Sequence, residues 1–249
     1  MKSTRSRAIQ GSDVPDPWIA DGKVKTYRQG QKIIEAGSRL GDWIAISQGA
    51  AFLVSRVAPG TRVAVAALWL GDVIGGDSPL GKLAARYDVT ALVDVTTINI
   101  PLTQVQAPGE PRRAAETGEL YAATASRLQD QISMRLAGNG LQRLVSVLAT
   151  LATALRADAG DAPQAPRLAL PIAQACIGQL SGLSRRQTWI YLGQLSERGW
   201  TRTARTQVVL EGLGAWLLLM GEVEQTGIEC IATLEECDAT LLRLSAVRR

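Results

Sequence analysis

One segment of this chain, residues 168–207, reads LALPIAQACIGQLSGLSRRQTWIYLGQLSERGWTRTARTQ. Its apolar spacing and turn residues predict a short strand, a helix, a tight turn, a second helix and a basic hairpin, in that order. Ser181-Gly-Leu-Ser184 supplies the turn, because Gly182 can adopt a positive φ and Ser184 can cap the next helix. This order of elements predicts a winged helix-turn-helix.

The second helix of this segment, which is predicted to begin at Arg185, divides into two faces. One face is apolar at helical spacing and is expected to face the core: Thr188, Tyr191, Leu192 and Leu195. The opposite face is expected to meet the major groove of DNA: Arg185, Arg186, Trp189 and Ile190. For the arginines, the alternative is an ordinary solvated helix face. For Trp189, the alternative is packing against the hairpin.

Positive charge is concentrated in the same part of the chain. Residues 167–207 hold six arginines and one acidic residue, a balance of +5, whereas residues 208–249 hold seven acidic residues and three arginines, a balance of −4. The whole-chain charge of +4 therefore understates how basic the predicted helix-turn-helix is. A local cluster of arginines is typical of a surface that binds phosphate, so the segment favours double-stranded DNA as a partner.

The residues of this segment have separate candidate roles on DNA. Arg185 and Arg186 are expected to read base edges, and Trp189 and Ile190 to contact thymine methyl groups. Two further pairs of residues are expected to have roles other than contacting bases. They are Ser184 and Gln187, which would contact phosphate or fix the helix end, and Arg202 and Arg205 on the hairpin, which would hold the DNA backbone.

Length and composition set broad limits on the class of protein. The 249 residues are enough for two domains that each bury a core. No apolar run reaches membrane-spanning length, and the basic N-terminus has no apolar segment behind it, so we expect no membrane partner, no secretory signal and a cytoplasmic location. Residues 1–16 are expected to form a disordered arm.

Catalytic and metal chemistry have few candidate residues. The chain contains no histidine, which excludes histidine triads, histidine general bases and histidine ligands. Its cysteines lack metal-ligand spacing; we expect Cys176 to be buried, and Cys230 and Cys237 to share one helical face. An enzyme would need a pair of carboxylates in a pocket, and the acidic residues are scattered. We therefore expect no enzymatic activity, metal or cofactor.

The chain divides into regions of different pattern. Short β-rich runs between residues 22 and 101 alternate with glycines and with Pro59-Gly60, which is typical of a sandwich or barrel. Pro108-Gly-Glu-Pro111 ends this region, and helical patterning follows. The predicted domains are a β domain over 17–110, a long helix over 111–138, and a winged helix-turn-helix with a C-terminal helical extension over 139–249.

The long helix carries a narrow apolar seam, which consists of Tyr121, Ala125, Leu128, Ile132 and Leu136. A seam of this width and length favours a partner helix, so we expect a homodimer; the alternative is a helix that lies on its own β domain. Gly138-Asn-Gly140 then breaks the helix. Later helices are predicted from residue 141, over 213–225 and over 228–246.

In this order, the elements resemble the cyclic AMP receptor protein/FNR (Crp/Fnr) superfamily of bacterial transcription regulators. The resemblance covers residues 22–212 and is carried by YRQGQKIIEAG (27–37), WIAISQG (43–49), GDVIG (71–75), LPIAQ (170–174) and LSGLSRRQT (180–188). It implies an α+β fold with an N-terminal β jelly-roll of the cyclic-nucleotide-binding type, a dimerisation helix and a C-terminal winged helix-turn-helix. It also implies a homodimer that binds double-stranded DNA to regulate transcription, with RNA polymerase as a further partner.

The effector region departs from the pattern of this superfamily. Cyclic-nucleotide binders follow the Gly-Asp-x-x-Gly turn with a glutamate for the ribose and, after a short helix, an arginine for the phosphate. Here the turn continues as Gly76-Asp77-Ser78-Pro79, and the later stretch is Ala85-Arg86-Tyr87-Asp88. The candidate effector-binding residues are therefore Gly75, Gly76, Asp77 and Arg86. Because the register is shifted, we expect a regulator that does not depend on cyclic AMP, and any effector to be another small molecule.

The recognition helix departs from the superfamily as well. Many members carry glutamate after the first arginine and a second arginine four residues later, where this chain has Arg186 and Ile190. Glutamate accepts a hydrogen bond from cytosine, whereas arginine donates to guanine O6 and N7, so a different operator is expected. An alternative function is a cyclic-nucleotide-sensing module whose winged helix binds a protein instead of DNA.

Overall fold

The structure is a computed structural model that describes residues 22–75, 84–105, 111–156, 166–204 and 206–247, except for the side chains of residues 111–114. Antiparallel sheets and helices are combined in these ranges, as the α+β prediction requires. The chain divides into two compact units, Met1–Gln129 and Asp130–Arg249. The predicted arm over 1–16 lies outside the described residues. None of the described helices is long and apolar enough to cross a lipid bilayer.

The first unit is built from two four-stranded antiparallel sheets. Its strands are β1 (Lys23–Tyr27), β2 (Lys32–Ile34), β3 (Asp42–Gln48), β4 (Ala50–Ala58), β5 (Thr61–Trp69), β6 (Val73–Ile74), β7 (Asp88–Ala91) and β8 (Val95–Pro101). One sheet has the order β1-β8-β3-β6 and the other the order β2-β7-β4-β5. Of the consecutive strands, β4 and β5 pair with each other, whereas the chain passes between the sheets at the other connections. This wrapping is the predicted jelly-roll topology.

Strand β3 shows how the core of the first unit is made. Its side chains alternate between two faces. Ile44 and Ile46 join the apolar cluster between the two sheets, whereas Trp43 and Ala45 join a cluster that includes the short helix α1 (Leu102–Val105). Because both faces are covered, the strand is a continuous apolar run instead of an alternating one.

The long helix α2 (Pro111–Leu136) runs through the boundary between the two units. In the first unit it is fastened to the turn before β6. The carboxylate of Asp72 is fully buried and accepts a hydrogen bond from Nε of Arg127 at 2.8 Å, and Oγ1 of Thr124 accepts one from the backbone N–H of Val73 at 3.0 Å. Burial raises the pKa of Asp72, and Arg127 opposes that rise. Removing Arg127 would leave the buried carboxylate of Asp72 without its positive partner.

The second unit has the element order of a winged helix-turn-helix, as predicted. Its elements are α3 (Gly140–Arg156), β9 (Arg167–Leu170), α4 (Gln174–Ser181), α5 (Arg185–Glu197), β10 (Thr201–Thr203), β11 (Val208–Glu211), α6 (Leu213–Thr226), a 3-10 turn (Ile228–Ile231) and α7 (Leu234–Ala246). The strands form an antiparallel sheet in the order β10-β11-β9, in which β10 and β11 are the hairpin, or wing.

The C-terminal extension belongs to the core of the second unit. Leu144 and Leu148 of α3 are fully buried, and α3 packs against α6, which in turn packs against α7. Trp216 of α6 and Leu241 of α7 are also fully buried. The extension therefore supplies part of the apolar surface on which the helix-turn-helix rests.

One predicted helix, over 228–246, is wrong in its first turn. The chain forms the 3-10 turn and then starts α7 anew, because Thr233 and Glu236 make a capping box: the N–H of Glu236 donates to Oγ1 of Thr233 at 3.2 Å. Cys230 and Cys237 consequently lie in different elements and not on one helical face. Burial raises the pKa of the Cys237 thiol to about 12, which disfavours the reactive thiolate. Cys176 is half-buried, where full burial was expected.

Candidate nucleic-acid interface

The turn between α4 and α5 is fixed by local hydrogen bonds. Gly182 has a φ of 63°, which permits its N–H to bond the carbonyl of Gln179 while the N–H of Leu183 bonds the carbonyl of Gly178 at 2.8 Å. Ser184 then caps α5: its hydroxyl oxygen accepts from the N–H of Gln187 at 3.2 Å, and the Gln187 side chain accepts from the N–H of Ser184 at 3.1 Å. Ser184 and Gln187 therefore fix the helix end, which is one of their two predicted roles.

Helices α4 and α5 approach each other closely at a glycine. A Cβ on Gly178 would lie 2.5 Å from Oγ1 of Thr188, which is closer than real side chains come. Thr188 is held in place because it is 1% exposed and donates its hydroxyl hydrogen to the carbonyl of Ser184. The crossing thus fixes the rotation of α5 about its own axis, and with it the direction of its outer face.

The two faces of α5 are divided as the sequence predicted. Thr188, Leu192 and Leu195 are buried, and Tyr191 is half-buried. Arg185, Arg186, Trp189 and Ile190 are exposed, and the exposed fraction of Trp189 is 69%. The tryptophan that packs at the wing is instead Trp200, which is 7% exposed and has its ring against Gly212. The alternative of Trp189 packing on the hairpin is therefore wrong.

The arginines of the second unit differ in what they contact. Arg198 is paired with Asp238 at 3.0 Å, and Arg202 on β10 is paired with Glu211 at 3.0 Å. Arg185 and Arg186, by contrast, have no hydrogen bond or ion pair with any residue that the structure describes. The outer face of α5 therefore carries two positive charges that none of the described residues neutralises. Arg205, the second predicted wing contact, lies outside the described residues.

Asp238 of α7, which the sequence analysis does not single out, holds the C-terminal end of α5. Its Oδ1 accepts from the indole Nε1 of Trp200 at 2.7 Å, and its Oδ2 accepts from Nη1 of Arg198 at 3.0 Å. These contacts join α7 to the link between α5 and β10, across about forty residues of sequence. No local pattern in the sequence indicates such a pair.

The start of the second unit is joined to the helix-turn-helix through backbone carbonyls. Nη2 of Arg135, near the end of α2, donates to the carbonyl of Gln179 in α4 at 2.8 Å, and Nη1 of Arg143 in α3 donates to the carbonyl of Arg135 at 3.2 Å. Both carbonyls belong to the last turns of helices, and that of Gln179 also accepts from the N–H of Gly182. The end of α2 is therefore bonded directly to α4, the helix that precedes α5.

The Gly138-Asn-Gly140 break, which we call the hinge, is also held. Nδ2 of Asn139 donates to the carbonyl of Ala232 at 2.7 Å, and Nε2 of Gln142 donates to the carbonyl of Ile228 at 2.9 Å. A Cβ on Gly140 would lie 2.7 Å from the ring of Tyr191 in α5. The hinge thus contacts both the C-terminal extension and α5.

The predicted dimer seam on α2 is divided between two environments. Leu128 packs against the core cluster of the β-roll, and Tyr121 and Ala125 line a cavity there, which agrees with the alternative that this part lies on its own β domain. Ile132 and Leu136, in contrast, are 51% and 82% exposed. Large apolar side chains at that exposure favour a covered surface, so dimerisation through this end of α2 stays a prediction.

The candidate effector residues are only partly described. Gly75 and Arg86 line a cavity of about 250 Å³ inside the first unit, whereas Gly76 and Asp77 lie outside the described residues. Most of the described lining is aliphatic or aromatic, and it includes no carboxylate. The remaining polar side chains of that lining are Tyr87, Tyr121 and Thr124.

Several solved structures with a similar fold are transcriptional regulators. The chain is similar to TTHB099, a transcriptional regulator of the CRP family from Thermus thermophilus, with 19% identity and a TM-score of 0.63 over 79% of this chain and 96% of that one. It is similar to TTHA1359 of the CRP/FNR family from the same organism, with 14% identity and a TM-score of 0.62 over 84% and 98%. FixK2 from Bradyrhizobium japonicum has 18% identity and a TM-score of 0.59 over 76% and 92%. No family model and no curated protein sequence matches the chain significantly. The fold of this chain is that of the Crp/Fnr family of transcriptional regulators.

Proposed function

We propose that the chain is a sequence-specific DNA-binding regulator of transcription that places α5 in the major groove. The observation that carries this proposal is the outer face of α5, where Arg185 and Arg186 are exposed without a carboxylate partner among the described residues. Two neighbouring arginines, Arg198 and Arg202, do have carboxylate partners in the fold. The lack of such partners is therefore particular to the outer face of α5. A polyanion supplies the missing negative charge.

The geometry of α5 suits base recognition. The capped start of the helix and the close crossing with α4 fix its side chains on a rigid element. An arginine in the major groove donates two hydrogen bonds to guanine O6 and N7, so Arg185 and Arg186 each specify a guanine. Arg202 on the exposed wing contacts the DNA backbone, since its side chain is 72% exposed while Glu211 holds its Nε.

The proposal includes a homodimer that binds a two-fold symmetric site. Ile132 and Leu136 continue the apolar seam beyond the part of α2 that packs on the β-roll, and their exposure leaves a surface that a second α2 covers. Two recognition helices related by two-fold symmetry then read half-sites about one helical turn of DNA apart.

We also propose that cyclic AMP is not the effector. The cavity of the β-roll is lined mostly by apolar side chains, and the residue after the Gly71–Gly75 turn is glycine and not the ribose-binding glutamate. Any signal from the first unit passes along α2 to the hinge, because Arg135 bonds α4 and Gly140 meets Tyr191 of α5. A change at the hinge then alters the spacing of the two recognition helices.

Selection of bound duplexes from a random pool tests the proposal. The full-length chain should enrich a palindromic site, and 1 mM cyclic AMP, a ligand excess of roughly a thousandfold over a micromolar dissociation constant, should leave the affinity unchanged. Arg186→Ala should cost about 1–3 kcal/mol and relax the preference at one base pair in each half-site, whereas Arg202→Ala should weaken all duplexes alike. Arg243→Ala is the matched control, because this exposed arginine of α7 is paired with Glu222 away from α5. A pool without enriched sequence contradicts the proposal and favours a protein partner for the winged helix.

A further inference from the structure

The outer face of α5 carries an apolar strip beside its arginines. Trp189 is 69% exposed and Ile190 is 38% exposed, whereas Trp43, Trp200 and Trp216 are buried. An indole is a large apolar group that folded proteins keep away from water when they can. The crossing of α4 and α5 fixes the side of α5 on which Trp189 lies, because Thr188 beside it is held in the core.

Gly193 lies one helical turn beyond Trp189, in the interior of α5. Glycine destabilises a helix interior relative to alanine, so it is usually kept where another group must come close. A Cβ on Gly193 would meet no described atom within 4 Å, so none of the described residues requires a glycine there. A close approach that explains Gly193 thus needs a group that these residues do not supply.

We propose, resting on the DNA-binding function above, that Trp189 reads a thymine through its C5 methyl group and that Gly193 leaves room for that base edge. The thymine methyl is the one apolar group that base pairs present in the major groove, which makes it the natural partner of an indole among arginines. Trp189 follows Arg185 by four residues, or about 6 Å along the helix axis, and base pairs are about 3.4 Å apart. The thymine therefore lies one or two base pairs from the guanine that Arg185 reads.

Replacing thymine with uracil removes only the methyl group, so it isolates this contact. The duplex is the one selected by the full-length chain, with each thymine replaced in turn, and the readout is the dissociation constant. Burial of one methyl-sized group corresponds to about a fourfold change in a dissociation constant. The wild-type chain should lose about fourfold at one thymine of each half-site, and Trp189→Ala should lose nothing at that position. Trp189→Phe, which keeps an aromatic ring, should retain part of the uracil effect.

Two further variants complete the test. Gly193→Ala should weaken binding to the selected duplex without lowering the melting temperature, because its methyl has open space in the subunit. Leu242→Ala is the matched control, since Leu242 of α7 is 56% exposed and lies outside α5. Equal uracil effects in the wild type and in Trp189→Ala overturn the inference but leave the proposed function intact. The inference is also overturned, with the proposed function intact, if Trp189→Ala changes the oligomeric state while each uracil substitution affects its dissociation constant as it affects that of the wild type. A pool that enriches no sequence overturns the proposed function and this inference together.

Discussion

Gly178→Ala is expected to destabilise the helix-turn-helix, although alanine is the better helix former. The new Cβ would lie 2.5 Å from Oγ1 of Thr188 and 3.3 Å from the carbonyl oxygen of Leu183. Neither atom can move away easily, because Thr188 is buried and bonded to Ser184, and the Leu183 carbonyl belongs to the backbone of the turn. Overpacking costs about 1–3 kcal/mol, and with two neighbouring atoms that cannot move away the cost at Gly178 is expected at about 2–3 kcal/mol. The gain in helix propensity is about 1 kcal/mol, so a net loss of about 1–2 kcal/mol is expected.

Urea unfolding of the full-length chain, combined with amide hydrogen exchange of α4 and α5, measures this loss. Gly193→Ala is the matched control, since it adds the same methyl group to the neighbouring helix in open space. It should stabilise the second unit by about 0.5–1 kcal/mol. One chemical change is thus predicted to have opposite signs at two sites, and the space around each glycine decides the sign.

A second variant shows whether Thr188 is the cause. In the Thr188→Ala background, Oγ1 is absent, so Gly178→Ala should cost less than it does in the wild type, by about 1 kcal/mol. The reasoning is refuted if Gly178→Ala is neutral or stabilising, or if its cost is the same in both backgrounds. Either result would mean that α4 and α5 do not cross as closely as described.

Three further outcomes are expected. Asp88→Asn should lower the free energy of unfolding at pH 7, because Arg56 holds the pKa of Asp88 at about 2. The expected loss is about 1–2 kcal/mol, since solvent screens the charge of the partly exposed Arg56. Because the pKa of Asp88 is lowered, its contribution to stability is complete above pH 3.8, the ordinary pKa, and is lost as the pH falls towards 2. In urea titrations near pH 2, wild type and Asp88→Asn should therefore unfold with the same free energy. A difference between the two chains that stays constant with pH contradicts this prediction. Asp238→Ala should lower the free energy of thermal unfolding by about 1–3 kcal/mol, because it leaves the indole N–H of Trp200 without its acceptor. An unchanged melting temperature would show that this hydrogen bond does not stabilise the second unit. Leu136→Ser should weaken dimerisation about tenfold or more in sedimentation, and Leu242→Ser should not, since Leu136 is 82% exposed on the seam; equal sedimentation of both variants argues against this interface.

The helix-turn-helix was readable from the sequence because its determinants are local. Gly182 and Ser184 sit within four residues of the groups they bond, and Thr188, Leu192 and Leu195 mark the buried face by their spacing alone. The capping box at Thr233 is equally local. This capping box indicates that a new helix begins at Leu234, whereas the apolar periodicity alone predicts one helix over 228–246.

The parts that were not readable depend on residues far apart in the chain. The pairing of β1 with β8 joins residues separated by about seventy positions, and the sequence of neither strand indicates which strand it pairs with. The same holds for Asp238 with Trp200 and for Arg135 with Gln179. The division of the α2 seam could not be predicted from the sequence either, because Leu128 and Ile132 are equally apolar. Leu128 packs against the core cluster of the first unit, and Ile132 is 51% exposed.

Guanine methylation interference on the selected duplex tests most directly whether the arginines of α5 contact bases. Methylation at N7 blocks the acceptor that an arginine uses in the major groove. The wild-type chain is expected to reject duplexes methylated at one or two guanines in each half-site, and Arg186→Ala is expected to become indifferent to one of them. If both chains give the same interference pattern, Arg186 does not read a base. If Arg185→Ala gives that pattern as well, the assignment of α5 as the recognition helix is contradicted.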